Sequence, residues 1–97
     1  MSRGHAHRGR RDETQAGIVS ALRQVGAEVH IIGEPTDLLA GWRGRWILIE
    51  CKTGKGKLTR RQTDFLNRCE YFFLPVVVVR NDVEALVAIG AVPKEKP

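Results

Sequence analysis

Apolar residues recur along this chain with two different periods. Between Asp12 and Val25, the residues Ile18, Val19, Leu22 and Val25 fall at helical spacing, with Asp12 placed to cap the start and Gly26 to end the element. An amphipathic first helix is expected there. Val29, Ile31 and Ile32 then form a short β-branched run cut off by Gly33 and Pro35, which predicts a strand followed by a sharp bend. A second strand is expected to begin near Asp37 with Leu38, Leu39 and Ala40. It turns within Gly41–Gly44 and returns as a third strand over Arg45–Lys52. With the turn centred near Arg43 and Gly44, Asp37 and Glu50 come opposite one another on neighbouring strands.

After the loop Thr53–Leu58, Thr59 is suited to cap a helix running to about Glu70, whose buried face includes Phe65, Leu66 and Cys69. Pro75 closes that region and Val76–Val79 reads as a fully apolar strand. Asp82 is expected to cap a last helix carrying Val83, Leu86, Val87 and Ile89, with Gly90 ending it. The predicted order is αβββαβα, an α/β fold in which a mixed sheet is flanked by helices. One domain spans residues 12–92, between a flexible basic arm at 1–11 and a loose tail at 93–97. There is no internal repeat and no linker.

A chain of 97 residues has room for one such domain and no second core. The apolar share of 42% belongs to a soluble globular protein, and no apolar run approaches the roughly 20 residues that span a bilayer. Membrane insertion is not expected. The basic stretch Met1–Arg11 lacks the apolar segment of a secretory signal, so a cytoplasmic location is expected. Cys51 and Cys69 have neither zinc-site spacing nor the density of a disulfide scaffold and read as reduced packing residues. His5 and His7 form an isolated pair in the arm, which is weak grounds for a metal site. The net charge of +5 points to a polyanionic partner, DNA and RNA alike, because Lys and Arg displace counterions from phosphates; it also serves solubility.

The stretch that changes the picture is Pro35-Thr36-Asp37 with Glu50-Cys51-Lys52. Side chains alternate along a strand, so Glu50 and Lys52 share one face while Cys51 points to the other. An acid and a base inside an apolar strand are costly to bury unpaired, and a salt bridge at a strand end is one solution. Adding Asp37 gives another, since two carboxylates on adjacent strands repel unless a divalent cation lies between them. Asp37 and Glu50 then form a hard-oxygen site for Mg2+ or Mn2+, with the Cys51 backbone carbonyl as an extra ligand. Lys52 is placed to stabilise charge on an attacked phosphate or to orient the attacking water, which is the equipment for phosphodiester hydrolysis.

The run GEPTDLLAGWRGRWILIECKTGKGKLTRRQTDFL, residues 33–66, resembles the virus-type replication-repair nuclease (VRR-NUC) domain of the PD-(D/E)XK nuclease superfamily. The similarity extends from the first helix to Ile89–Gly90. It is carried by Gly-x-Pro-Thr-Asp, Ile-Glu-Cys-Lys and Lys-Leu-Thr-x-x-Gln as a set. The resemblance implies a restriction-endonuclease-like fold, metal ligation by Asp37 and Glu50, a catalytic Lys52, and Gln62 facing the site from the following helix. It also implies a metal-dependent endonuclease acting on DNA, with branched substrates such as Holliday junctions, and small members that act as homodimers in bacterial or phage-infected cells. Two departures matter. Thr36 separates Pro35 from Asp37, and the first-helix position where the family often has a glutamate is Gln15. An amide oxygen can ligate a metal or hold a water, but it gives up one negative charge. The nearest acid, Glu13, lies about 160° away around the helix.

Lys55, Lys57, Arg60 and Arg61 cluster after the third strand, either as a solvated basic face or as a phosphate track into the site. Trp42, Arg43 and Arg45 are expected at the hairpin tip, where an exposed Trp42 would stack on a base or pack on a partner subunit, with the two arginines contacting nucleic acid. The alternative to a nuclease is a nucleic-acid-binding module of the same fold with weak or no turnover, which Gln15 would permit. A third reading is a structural protein in which Asp37, Glu50 and Lys52 form a buried ion network.

Overall fold

The computed structural model describes residues 9–92. His5, His7, most of the expected arm and the tail at 93–97 lie outside these residues. The elements are α1 (Gly9–Gln24), β1 (Glu28–Ile31), β2 (Leu38–Trp42), β3 (Arg45–Cys51), α2 (Arg60–Tyr71), β4 (Val76–Val79) and α3 (Asp82–Ile89). This is a small α/β domain, with the predicted order αβββαβα. Several boundaries differ from expectation; β3, for example, ends at Cys51 and not at Lys52. The first helix starts at Gly9, so Arg10 and Arg11 belong to it and Asp12 lies inside its first turn instead of capping it. Arg and Glu are good helix formers, and their polarity hid the extra turn from an apolar period that begins only at Ile18. The cap of α3 is Asn81, whose side-chain oxygen accepts from the Glu84 N–H at 2.8 Å, and Asp82 is the first helical residue. The second strand begins at Leu38, which leaves Asp37 in the preceding loop.

The four strands form one mixed sheet in the order β1-β2-β3-β4. β1 with β2 and β2 with β3 are antiparallel, while β3 and β4 are parallel and joined by the α2 crossover that parallel pairing requires. The β2–β3 register pairs Leu38 with Ile49 and Trp42 with Arg45. The turn between them is therefore the two residues Arg43 and Gly44, both at positive φ (48° and 89°), which matches the twist of a tight hairpin.

Strand alternation divides the sheet into two faces. Val29, Leu38, Ala40, Ile47, Ile49, Cys51 and Val79 point to one face, where Ile18, Val19 and Leu22 of α1 and Ala85 and Ile89 of α3 close the core. Ile18, Leu22, Leu38 and Ile49 are fully buried, so truncating any of them to Ala should cost about 2–5 kcal/mol. His30, Leu39, Gly41, Trp46, Leu48 and Glu50 point to the opposite face, which α2 reaches through Gln62. Both cysteines are reduced and buried, as expected. Among the described residues, no helix is long and apolar enough to cross a membrane.

Candidate active site

Asp37 is fixed at both ends. Its carbonyl accepts from the Ile32 N–H (2.9 Å) and the Gly33 N–H (3.2 Å), which closes the β1–β2 loop, with Gly33 at φ 80°. Next to it the buried Thr36 hydroxyl donates to the Leu38 carbonyl at 3.1 Å. The Asp37 carboxylate then reaches across to β3, where Oδ2 accepts the Cys51 N–H at 2.8 Å. The hairpin register, continued by one pair beyond Leu38 and Ile49, sets Asp37 opposite Glu50 as predicted. Within a strand the N–H and C=O of one residue point to the same side, so the Cys51 carbonyl is also directed toward Asp37.

Glu50 lies on the face that α2 reaches through Gln62. Both carboxylates are withdrawn from solvent, Asp37 at 6% and Glu50 at 3% exposure. Oε2 of Glu50 accepts from Gln62 Nε2 at 2.8 Å and has Lys52 Nζ at 3.8 Å. Gln62 reaches it because of local chain chemistry. It is the third helical residue of α2 and completes a capping box with Thr59: its Oε1 accepts the Thr59 N–H (2.9 Å) while its own N–H donates to Thr59 Oγ1 (3.1 Å). The amide oxygen is committed to the helix cap, so the NH2 group faces Glu50. One residue thereby couples the start of α2 to the carboxylate.

Asp37 and Glu50 line a cleft of about 540 Å³ whose other wall is the α2 face carrying Arg61, Gln62, Phe65 and Arg68. Arg61, Phe65 and Arg68 follow the i, i+4, i+7 spacing of one helical face, and the Arg68 guanidinium lies 5.9 Å from the Phe65 ring centre. Arg68 was not singled out in the sequence, although that spacing carries the signal. Of the predicted basic cluster only Arg61 lines the cleft. Lys55, Lys57 and Arg60 are exposed outside its lining, and Arg60 Nε lies 4.0 Å from Asp64 Oδ2.

The loop after β3 is organised by a residue with no sequence signal, Arg80. Its Nη1 donates to the carbonyls of Gly54 (2.7 Å), Gly56 (3.0 Å) and Thr53 (3.4 Å). Arg80 thus sets the path of the chain immediately after Lys52. Gln15 is placed elsewhere: it lines a depression between α1 and β1 with Val19, Arg23 and Ile31, and it does not line the carboxylate cleft.

At the hairpin, the expectation of an exposed Trp42 is corrected. Trp42 shares the face of Leu38 and Ala40 and packs against the core, with the Arg43 guanidinium 5.1 Å from its ring centre. The exposed indole is Trp46, on the Glu50 face, and its ring lies so close over Gly41 that an added Cβ would meet it at 3.0 Å. Arg43 and Arg45 are exposed beside it.

The donor set suits a hard divalent cation. Magnesium is commonly held by one or two carboxylates with water completing the shell, and two carboxylates with a main-chain carbonyl meet that need. Among the described residues there is no group of three or more His, Cys, Asp and Glu side chains placed to hold a metal ion. Comparison of the chain with protein-family models, with curated proteins and with solved structures gives no match, so its likeness to the VRR-NUC domain rests on the motifs of residues 33–66.

Proposed function

We propose that the chain is a divalent-metal-dependent nuclease that hydrolyses DNA phosphodiester bonds, with branched DNA such as four-way junctions as the favoured substrate. The observation that carries this reading is the pair of buried carboxylates, Asp37 and Glu50, lining one cleft with Arg61 and Arg68, while Lys52, outside that lining, has its Nζ 3.8 Å from Glu50 Oε2. The mixed sheet with its β3–α2–β4 crossover is compatible with a restriction-endonuclease-like architecture.

Magnesium or manganese, bound by Asp37, Glu50 and the Cys51 carbonyl, would supply Lewis-acid polarisation of the phosphate and a water of lowered pKa. The chain's own residues do the rest. Arg61 and Arg68 hold the phosphate backbone in the cleft. Gln62 fixes the orientation of Glu50, and the Cys51 N–H fixes that of Asp37. Lys52 presents its ammonium group where negative charge grows on the attacked phosphate, in a setting largely removed from water.

Asp37→Ala tests the assignment. Metal-dependent cleavage should be abolished, while binding to DNA in calcium is retained or improved because a repulsive charge near phosphate is gone. Full activity in that variant would sink the site. A second reading, a binding module with little turnover, is favoured by one observation: Gln15 lies away from the cleft, so α1 contributes no ligand through it. Binding that survives EDTA without cleavage in either metal would favour that module.

A further inference from the structure

On the sheet face that holds Glu50, β3 also carries Trp46, four residues earlier and 50% exposed. Trp46 is paired across the hairpin with Gly41. A Cβ built on Gly41 would meet three consecutive indole atoms, Cε3, Cζ3 and Cη2, at 3.1, 3.0 and 3.3 Å. Distances so nearly equal place that point over the face of the ring, because a point off its edge would lie much farther from the two flanking atoms. The indole is therefore laid flat on the glycine, and the missing side chain at Gly41 makes room for it. His30 stands beside it, with ring centres 6.1 Å apart and planes tilted by 50°, and His30 Nε2 lies 3.0 Å from Glu28 Oε2. A cross-strand aromatic shields a strand glycine in this way, which accounts for one face of the indole. The opposite face is turned away from the sheet, toward solvent.

The surroundings of that outer face are cationic. Arg43 and Arg45 are exposed at the hairpin and line, with Trp42, Trp46 and Glu28, a depression of about 600 Å³. Glu28 is the one acid in that lining, and His30 lies against it. An exposed aromatic face bordered by arginines suits a nucleobase, whose flat π-face stacks on the indole while the guanidinium groups take the phosphates on either side. A protein partner closing over the same ring would have to strip water from both arginines. Between Trp46 and Glu50 only Leu48 intervenes on this face of β3, half-buried and paired with Leu39. Four residues of strand span about 13 Å, which matches about four stacked nucleotides at about 3.4 Å each.

We propose that Trp46 is a base-stacking residue: an unpaired nucleobase lies on its outer face, within about four nucleotides of the phosphate in the carboxylate cleft. Stacking requires a base face that no neighbour covers, so Trp46 selects unpaired over paired nucleotides. In a continuous duplex both faces of every interior base are already covered, and the indole gains nothing. The spacing to the cleft rests on the nuclease reading, whereas the stacking itself does not.

Tryptophan emission of the full chain, titrated with oligothymidylate in EDTA, tests the stacking where no metal-dependent cutting occurs. A thymine on the exposed indole should quench the wild-type emission. Trp46→Phe, which keeps a ring, should lose the quench yet bind within about three-fold of the wild type. Trp46→Ala should bind oligothymidylate about 10-fold more weakly, the size of one lost base–aromatic stack, and should bind a duplex closed at both ends by polyethylene glycol linkers within about two-fold of the wild type. Trp46→Phe keeps Gly41 covered, so its quench decides the matter even where alanine unsettles the hairpin. Wild-type emission that stays constant on binding, a Trp46→Phe variant that is still quenched, or an equal loss of affinity for the closed duplex in Trp46→Ala would each overturn the proposal. So would a Trp46→Ala chain that keeps its oligothymidylate affinity but sediments at a lower mass without DNA, which would assign the ring to a second copy. In calcium, 2-aminopurine placed singly along a substrate should lose most emission within about four nucleotides of the bond that is cut in magnesium, and a maximum farther away would overturn the spacing. Quenching by a protein that never cuts would overturn the nuclease reading and uphold the stacking.

Discussion

Gln62→Glu isolates the link between the helix cap and the carboxylates. A glutamate at this position keeps the capping box, because its carboxylate can still accept the Thr59 N–H. It removes the donor that lies 2.8 Å from Glu50 Oε2 and substitutes a second negative oxygen. A hydrogen bond to a charged group is worth about 1.5–3 kcal/mol. Two unit charges about 4 Å apart at an effective dielectric near 20 repel by about 4 kcal/mol. Gln62 is half-buried, so the new carboxylate can swing partly outward and the net loss should fall near 2–4 kcal/mol at neutral pH in EDTA. Manganese should restore stability, and by more than it stabilises the wild type, because the added carboxylate strengthens the cation site. Urea denaturation in EDTA and in manganese measures both effects. A variant with the wild-type midpoint in EDTA and no response to manganese would show that Gln62 does not face Glu50 and that the carboxylates hold no cation.

Two further outcomes follow from the cleft and its rim. Arg61→Ala with Arg68→Ala should weaken DNA binding for all sequences and reduce the salt slope by about two, whereas Lys55→Ala with Lys57→Ala should change it less; equal slopes, measured by fluorescence anisotropy across a salt series, would place the arginines outside the phosphate path. Arg80→Gln removes the cation bonded to the Thr53, Gly54 and Gly56 carbonyls and should destabilise the fold by about 1–3 kcal/mol, with faster hydrogen exchange concentrated in residues 53–58; unaltered exchange there would contradict the role given to Arg80.

Much of this architecture is legible in the sequence because it depends on short-range rules. The periods of the apolar residues give the seven elements, and the two-residue turn at Arg43–Gly44 fixes a register that brings Asp37 and Glu50 together. Alternation along β3 then puts Lys52 beside Glu50. The misplaced caps at Asp12 and Asp82 come from rules that recognise a residue type but not its neighbour, since Asn81 caps as well as Asp82. Trp42, expected to be exposed, instead packs on the core because its parity is that of Leu38 and Ala40, which leaves Trp46 outside. Contacts between residues distant in sequence have no periodic signature. The three bonds from Arg80 to the 53–56 loop and the Cys51 N–H on Asp37 become visible only when the chain is folded. The corner at Tyr71–Leu74 is the opposite case, since its composition suits an interior and the fold leaves it outside.

The most direct test of the central claim is cleavage of labelled linear, flap and four-way-junction DNA in magnesium or manganese, comparing wild type with Lys52→Ala. Lys52 Nζ lies 3.8 Å from Glu50 Oε2, and the residue carries no backbone role that alanine could not fill, so the variant should fold. The account predicts cutting by the wild type that EDTA abolishes, and a loss of at least about 100-fold in the variant with DNA binding preserved. Wild-type protein that binds these DNAs but cuts none of them in either metal, or a Lys52→Ala variant that cuts at the wild-type rate, would contradict it.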